Sequence, residues 1–349
     1  MKTKLLSIAT AALVAALMGA SGVSQAAPEV TLKFHHLLPP VSAAQRTMIE
    51  PWVQAVEKSS GGKLKIDIYP SMSLGGTPPQ LIRQVRDGVV DIVWTVSGYT
   101  AGQFPRSEVF ELPFVHTNNT VASNLAMYDM FDKYLKPEYE DVHVILLHVH
   151  AGQAFMMVDT PINKVDDVKG KKIRIPTRTG AWLLEALGAN PVGMPVPALP
   201  QALSKRVVDG ALIPYEIVPP LKIQELTKYQ INGEDDVRFG TTTFVIAMNK
   251  KKYESLPAHL KKAIDENSGR DFAIAAGRAW QNNEKGGLAA VVKAGNKHIV
   301  IPNAEMEKFK AKLEPVVDRW IEDVKSKGVD GRVLVNEARK AIAKYSNTR

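Results

Sequence analysis

Three segments decide the fold: VTLKFHH (30–36), KLKIDIY (63–69) and VVDIVWT (89–95). The middle one alternates polar and apolar residues with period two, as a strand with one buried face does. The other two are short β-branched and aromatic runs that also read as strands. Between the first pair, Ser42 and Gln45 make an S-x-x-Q capping pattern ahead of a helical face of Met48, Trp52, Val53 and Val56. Pro51 kinks or restarts that helix, and Ser59-Ser60-Gly61-Gly62 stops it. Between the second pair, a Gly75-Gly76 loop leads into a helix that starts near Pro78 and Pro79. It turns Leu81, Ile82 and Val85 inward and ends at Gly88. Strand, helix, strand, helix, strand in this order is the pattern of a parallel sheet covered by helices.

The same rhythm returns further along. VHVILLHV (142–149) reads as a buried strand, and KKIRI (171–175) as a short one stopped by Pro176. A helix at about 179–187 ends at Gly188, and another at about 198–206 leads into VVDGALI (207–213). TTTFVIAMN (241–249) is a further strand. From Pro257 the pattern is mostly helical, with an amphipathic stretch at 304–326 interrupted by Pro315. No Gly/Ser-rich or Pro-rich linker divides the chain, so two lobes would be joined by several crossing segments and not by one tether. There is no internal repeat.

The 349 residues suffice for two lobes, and 45% hydrophobic with 23% charged residues is ordinary for a soluble globular protein. The absence of cysteine removes disulfides, thiolate-ligated zinc, iron–sulfur clusters and a cysteine nucleophile. Lys2 and Lys4 precede an apolar run from Leu5 to Ala20, and Ser24-Gln25-Ala26 predicts cleavage before Ala27. Residues 1–26 therefore read as an export signal and the product as a periplasmic protein. Removing them takes two lysines and no acid from a net charge of +8. The remaining positive charge is spread along the chain without a polybasic block, which speaks against nucleic acid as a partner.

Few residues carry chemistry by pattern alone. His148 and His150 project from one strand face at a spacing that places two imidazoles on one metal, but no third ligand stands nearby. His35 and His36 sit at a strand end with their rings on opposite faces, so one of them, His36 or His35, can line a cleft. Asp166-Asp167 and Glu234-Asp235-Asp236 read as solvated turns. No G-x-S-x-G, H-E-x-x-H, Walker loop or G-x-G-x-x-G is present, so nothing argues positively for an enzyme. Ligands of open α/β sheets bind beyond the carboxyl ends of strands. That makes Tyr99 a candidate cleft wall and leaves Trp94 either wall or core. Arg174, near the end of GKKIRIP (170–176), has the fork to grip a carboxylate, though a surface arginine on an edge strand fits the spacing equally well.

Read in order, TLKFHHLLPP (31–40), KLKIDIYPSMSLGG (63–76), QVRDGVVDIVW (84–94), GYTAGQFP (98–105), ELPFVH (111–116), VKGKKIRIP (168–176), LGANPVGMP (187–195), VVDGALIPYE (207–216) and MNKKKYESLP (248–257) resemble one family. It is the DctP-type solute-binding protein of tripartite ATP-independent periplasmic (TRAP) transporters, and the similarity spans nearly the whole mature chain. The resemblance implies an α/β, two-lobed periplasmic binding protein fold with a ligand cleft between the lobes. One lobe would comprise 27–151 plus about 238–279, the other 152–237 plus about 280–349. It implies an organic-acid receptor partnered by a small and a large membrane permease subunit, with no cofactor. The arginine of the family's G-K-K-I-R-x-P motif, which pairs with the ligand carboxylate, is here Arg174.

Relative to the family's sialic-acid branch, the pocket is less polar. Gln153 or Ala154 stands where that branch has a second arginine, Ala211, Leu212 and Ile213 replace Gln-Glu-Asn, and Val196 replaces an aromatic. A sugar acid would leave polar groups unpaired, at roughly 1–3 kcal/mol each, and a second carboxylate would lack a cation. The expectation is a monocarboxylate with an apolar or aromatic body, such as a 2-oxo, 2-hydroxy or aryl acid. Gln153, Tyr99 and Tyr215 would add polar contacts, and Trp182 is a possible stacking partner. The alternatives are a C4-dicarboxylate or sugar-acid receptor, or a sensor subunit of the same fold.

Overall fold

A computed structural model of the protein describes residues 27–348, and the export signal read at 1–26 lies outside them. The strands are β1 (Val30–His36), β2 (Leu64–Tyr69), β3 (Ile92–Val96), β4 (Val142–Val149), β5 (Ala154–Met157), β6 (Lys172–Ile175), β7 (Asn190–Gly193), β8 (Gly210–Ile213), β9 (Tyr229–Gly233), β10 (Thr243–Asn249) and β11 (Lys297–Ile301). They form two sheets, of order β2-β1-β3-β10-β4 and β11-β9-β5-β8-β6-β7. The helices are α1 (Glu50–Ser59), α2 (Leu81–Arg86), α3 (Thr120–Met130), α4 (Arg178–Ala186), α5 (Leu199–Ser204), α6 (Lys250–Ser255), α7 (Ala258–Glu266), α8 (Gly269–Lys293), α9 (Asn303–Lys325) and α10 (Gly331–Lys344).

The first sheet starts with the expected parallel pairs, β1 on β2 and β1 on β3. Strand β10 then enters antiparallel between β3 and β4, so a segment from far along the chain completes the first lobe. The second sheet has parallel β6–β7, β6–β8 and β9–β11 pairs, with β5 antiparallel between β8 and β9. The chain thus passes between lobes after β4, before β10, along α8 and again between α9 and α10.

Several expectations change in detail. The S-x-x-Q pattern is only half a capping box. The Ser42 hydroxyl accepts from the Gln45 N–H at 3.4 Å, but the Gln45 side chain goes to His36 and Glu50. Residues Gln45–Ile49 wind as a π turn, and Pro51 then falls in the first turn of α1, where no intrahelical N–H is needed. Helix α9 runs unbroken through Pro315, held by buried Leu313, Val316, Val317 and Trp320 on either side. The tract after Pro257 also contains a strand, β11. Helix α10 lies on α3 of the first lobe although its residues were grouped with the second. Asn119 Nδ2 donates to the carbonyls of Ser346 and Thr348, and the Tyr345 hydroxyl to Asp129.

Candidate ligand-binding cleft

The carboxyl ends of β3 and β6 face each other across the junction of the two lobes, and a small cavity of about 40 Å³ lies there. The first lobe contributes Trp94 and Val96 of β3, Tyr99 from the turn that follows, Leu37 and Leu38 after β1, His150 after β4, and Thr242 and Phe244 around the start of β10. The second lobe contributes Gln153, Arg174, Val196, Leu212, Ile213 and Glu216, and α8 contributes Trp280.

One wall is aromatic. Trp94 stacks on Phe244 with centroids 5.1 Å apart, and Trp280 lies 5.7 Å beyond. Trp94 is both core and wall: its ring borders the cavity while Nε1 donates to His148 Nε2 at 2.9 Å. Burial pushes the His148 pKa down to about 3, so the ring is neutral, and its Nε2 is already used. Among the described residues no group of three His, Cys, Asp or Glu is placed to hold a metal ion.

Arg174 sits inside the second sheet, paired to Val192 of β7 and Ala211 of β8, and is not on an edge. It is 2% exposed. Nε donates to the Met194 carbonyl at 3.0 Å, while Nη2 is buried with no hydrogen-bond partner. Burial pulls its pKa down and the Tyr99 hydroxyl offsets this in part, but a guanidinium stays protonated. A buried cation with an unused N–H pair in an apolar cavity is costly unless an anion arrives.

The lobes touch across the cleft. The Val196 N–H donates to the Tyr99 hydroxyl at 2.9 Å. Arg178 makes a bidentate pair with Glu108 at 2.7 and 2.6 Å and a further contact with Asp323 at 2.8 Å. The Thr179 hydroxyl donates to Glu111 at 2.7 Å. Gly98 allows the approach, since a Cβ there would meet Thr177 Cγ2 at 2.4 Å.

Of the residues nominated from sequence, Arg174, Gln153, Tyr99, Leu212, Ile213, Val196 and Trp94 line the cavity. Gln153 donates from Nε2 to Thr242 at 3.0 Å, tying the lobes at the cavity floor, while Ala154 is buried within β5. His36 does not reach the cavity. Its Nε2 meets Gln45 at 3.0 Å, and Nδ1 accepts the Leu38 N–H, so it shapes the loop that presents Leu37 and Leu38. Burial holds its pKa at about 4. Tyr215 also turns away, donating to Asn232 at 2.8 Å beneath the Arg238 guanidinium. Trp182 is packed between Arg178 and Arg319, outside the cavity. The acidic pairs serve turns: Asp167 accepts the N–H groups of Asn163 and Lys164, and Asp236 pairs with Arg238.

Sequence reasoning did not nominate Phe244, Trp280, His150 or Glu216 as cavity residues. The first two come from β10 and α8, and no local signal joins them to β3. Glu216 follows Pro214, where strand alternation no longer tells which of two neighbours points inward.

A sequence model of the DctP family, bacterial extracellular solute-binding protein family 7, matches residues 34–323. A TRAP solute-binding protein from Rhodoferax ferrireducens T118, crystallised with copurified benzoate, is 44% identical. It superposes with a TM-score of 0.89 over 91% of this chain and 99% of that one. A marine metagenome TRAP solute-binding protein specific for aromatic acid ligands, holding 3-hydroxybenzoate, is 41% identical with a TM-score of 0.89 over 91% and 99%. The TsaT transporter protein of Comamonas testosteroni is 28% identical over 93% of this chain and 94% of its own. The protein belongs to the DctP family of bacterial extracellular solute-binding proteins, with the two-lobed fold of a TRAP receptor.

Proposed function

We propose that the protein captures a small aromatic or similarly apolar monocarboxylate in the periplasm and passes it, unaltered, to the small and large permease subunits of a TRAP transporter. The observation that carries this reading is Arg174: a buried guanidinium with an unpartnered Nη2, walled by Trp94, Phe244, Trp280, Leu212 and Ile213. One carboxylate satisfies the cation, and the rest of the ligand replaces water against apolar surface. Among the described residues no second cation lines the cavity to receive another carboxylate. The benzoate and 3-hydroxybenzoate found in the two similar structures support the same class of ligand.

The test is thermal unfolding of the mature protein against benzoate, hydroxybenzoates, mandelate, branched 2-oxo acids, succinate, galacturonate and sialic acid. A ligand at 100 times its Kd adds about 2.7 kcal/mol, a rise of several degrees. The rise is expected with aromatic or apolar monocarboxylates only. A shift with succinate or sugar acids alone would overturn the ligand class, and mass spectrometry showing a chemically altered acid would overturn the receptor role.

A further inference from the structure

Arg174 accounts for one end of the proposed ligand, and the cavity carries a second polar feature that this pairing leaves unused. Glu216 lines the same space, is 5% exposed, and its Oε2 is buried without a hydrogen-bond partner. Its backbone N–H donates to Glu284 Oε1 at 2.9 Å. Glu284 is committed to Arg238, whose Nη1 reaches it at 2.9 Å, and Arg238 also holds Asp236. The charge that bears on Glu216 is another carboxylate, that of Glu284. Burial first, and Glu284 second, push the Glu216 pKa well above the carboxylate range. It stands in the cavity as a neutral acid, with one O–H to give and one oxygen to accept.

His150 completes the surroundings. Its Nδ1 accepts the Gly152 N–H at 3.1 Å, so the ring proton is on Nε2, and burial holds the ring neutral. Tyr99 is engaged with the Val196 N–H and Gln153 with Thr242, and apart from these and Arg174 the remaining wall is aromatic and aliphatic. A neutral group that both donates and accepts matches such a carboxyl, and a hydroxyl is the smallest that does. An ammonium would require Glu216 to ionise beside Glu284.

Resting on the receptor reading above, we propose that Glu216 is a specificity determinant that takes a hydroxyl on the apolar body of the ligand, so that the protein selects a hydroxylated aromatic acid over its unsubstituted parent.

Isothermal titration of benzoate, 3-hydroxybenzoate, 4-hydroxybenzoate and 3-(aminomethyl)benzoate tests this in wild type, Glu216→Leu, Glu216→Gln and Arg174→Ala. In wild type one hydroxybenzoate is expected to bind at least tenfold more tightly than benzoate. Glu216→Leu is expected to bring the two within threefold of each other. Glu216→Gln, which keeps a donor and an acceptor and removes no volume, retains part of the preference and serves if the leucine variant folds poorly. Absence of a preference in wild type, its persistence in both Glu216 variants, or equal loss of both acids would each overturn the proposal. So would tightest binding of 3-(aminomethyl)benzoate. If the inference fails alone, benzoate still binds wild type and is lost in Arg174→Ala. If no acid binds wild type, the receptor reading falls with it.

Discussion

Arg174 is poorly provided for until an anion arrives. Its guanidinium is buried, donates through Nε to Met194, and leaves Nη2 without a partner. Replacing a buried unpaired charge with an apolar side chain of similar length relieves desolvation, in the range of about 1–4 kcal/mol for buried ionic groups. Arg174→Met is therefore expected to melt, ligand-free, at or above the wild-type temperature while binding of benzoate falls at least a hundredfold. Differential scanning calorimetry and titration on one preparation check both halves. A melt several degrees lower would mean that Arg174 holds the empty fold together. Arg174→Lys should also bind poorly, since an ammonium cannot reproduce the two parallel bonds. At this scale sequence was informative where a motif fixed the register, as in GKKIRIP. It was less informative where a turn intervened: His36 was placed near the ligand by strand alternation and Tyr215 through the family resemblance, but the chain bends after each, and Leu37, Leu38 and Glu216 line the cavity instead.

Helix α8 is the element that most directly couples the lobes. Thr120 and Asn124 of α3 donate to its carbonyls at Gly277 and Ala273, and two turns later Glu284 holds the backbone of Glu216. Gly287 lies where the helix crosses the ligand segment: a Cβ would stand 2.2 Å from the Tyr215 oxygen and 2.9 Å from the Glu216 nitrogen. Backbone cannot swing aside as a side-chain tip does. Gly287→Ala is expected to destabilise by about 1–3 kcal/mol and to weaken ligand binding through the displaced Glu216 segment. Gly286→Ala, with nothing within 4 Å, is the control and should be neutral or slightly stabilising. Urea melts of the two variants check it, and equal behaviour would sink the crossing argument. Among strands, β1, β4 and β10 were legible because continuous apolar runs or strict alternation marked them. AFMM in β5 is an apolar run too short and too poor in β-branched residues to stand out, while YQING in β9 and the Pro- and Gly-bearing NPVG in β7 lack either signal and are strands only because the sheet supplies their partners. The KHIVI strand β11 was hidden in a tract whose helical pattern dominates on both sides.

Over the whole molecule, buried titratable groups of two kinds oppose each other. Burial lowers His36 and His116 to about 4 and His148 to about 3, and holds His150 well below its ordinary 6.5. Unfolding lets these rings take protons, so they add stability as pH rises from about 4 to 6.5. Burial raises Glu111 and Glu138 to about 7, and raises Glu216 and Glu284 above their ordinary 4.5. The folded state holds those protons longer, so these groups remove stability as pH rises from 4.5 to about 7. The two sets oppose between about 4.5 and 6.5, only the histidines act below that window, and only the glutamates above it. Chemical denaturation across pH 3.5–8.5 should show a broad maximum between about pH 4.5 and 6.5. A steady rise to pH 8 would contradict the raised pKa values of the buried glutamates.

The position of β10 has a further consequence for how the chain can be delivered. Strand β10 is an interior strand of the first sheet, yet it follows the whole second-lobe segment that contains β5 to β9. A chain emerging N-terminus first, from a ribosome or a translocation channel, carries β3 and β4 with unpaired inner edges until residues 243–249 arrive. Native docking of the first lobe is then deferred through most of the threading, which keeps the polymer slack enough to be pulled through a pore. The same delay leaves sticky strand edges open longest, so a holding chaperone would find its footing on the half-delivered chain at β3 and β4.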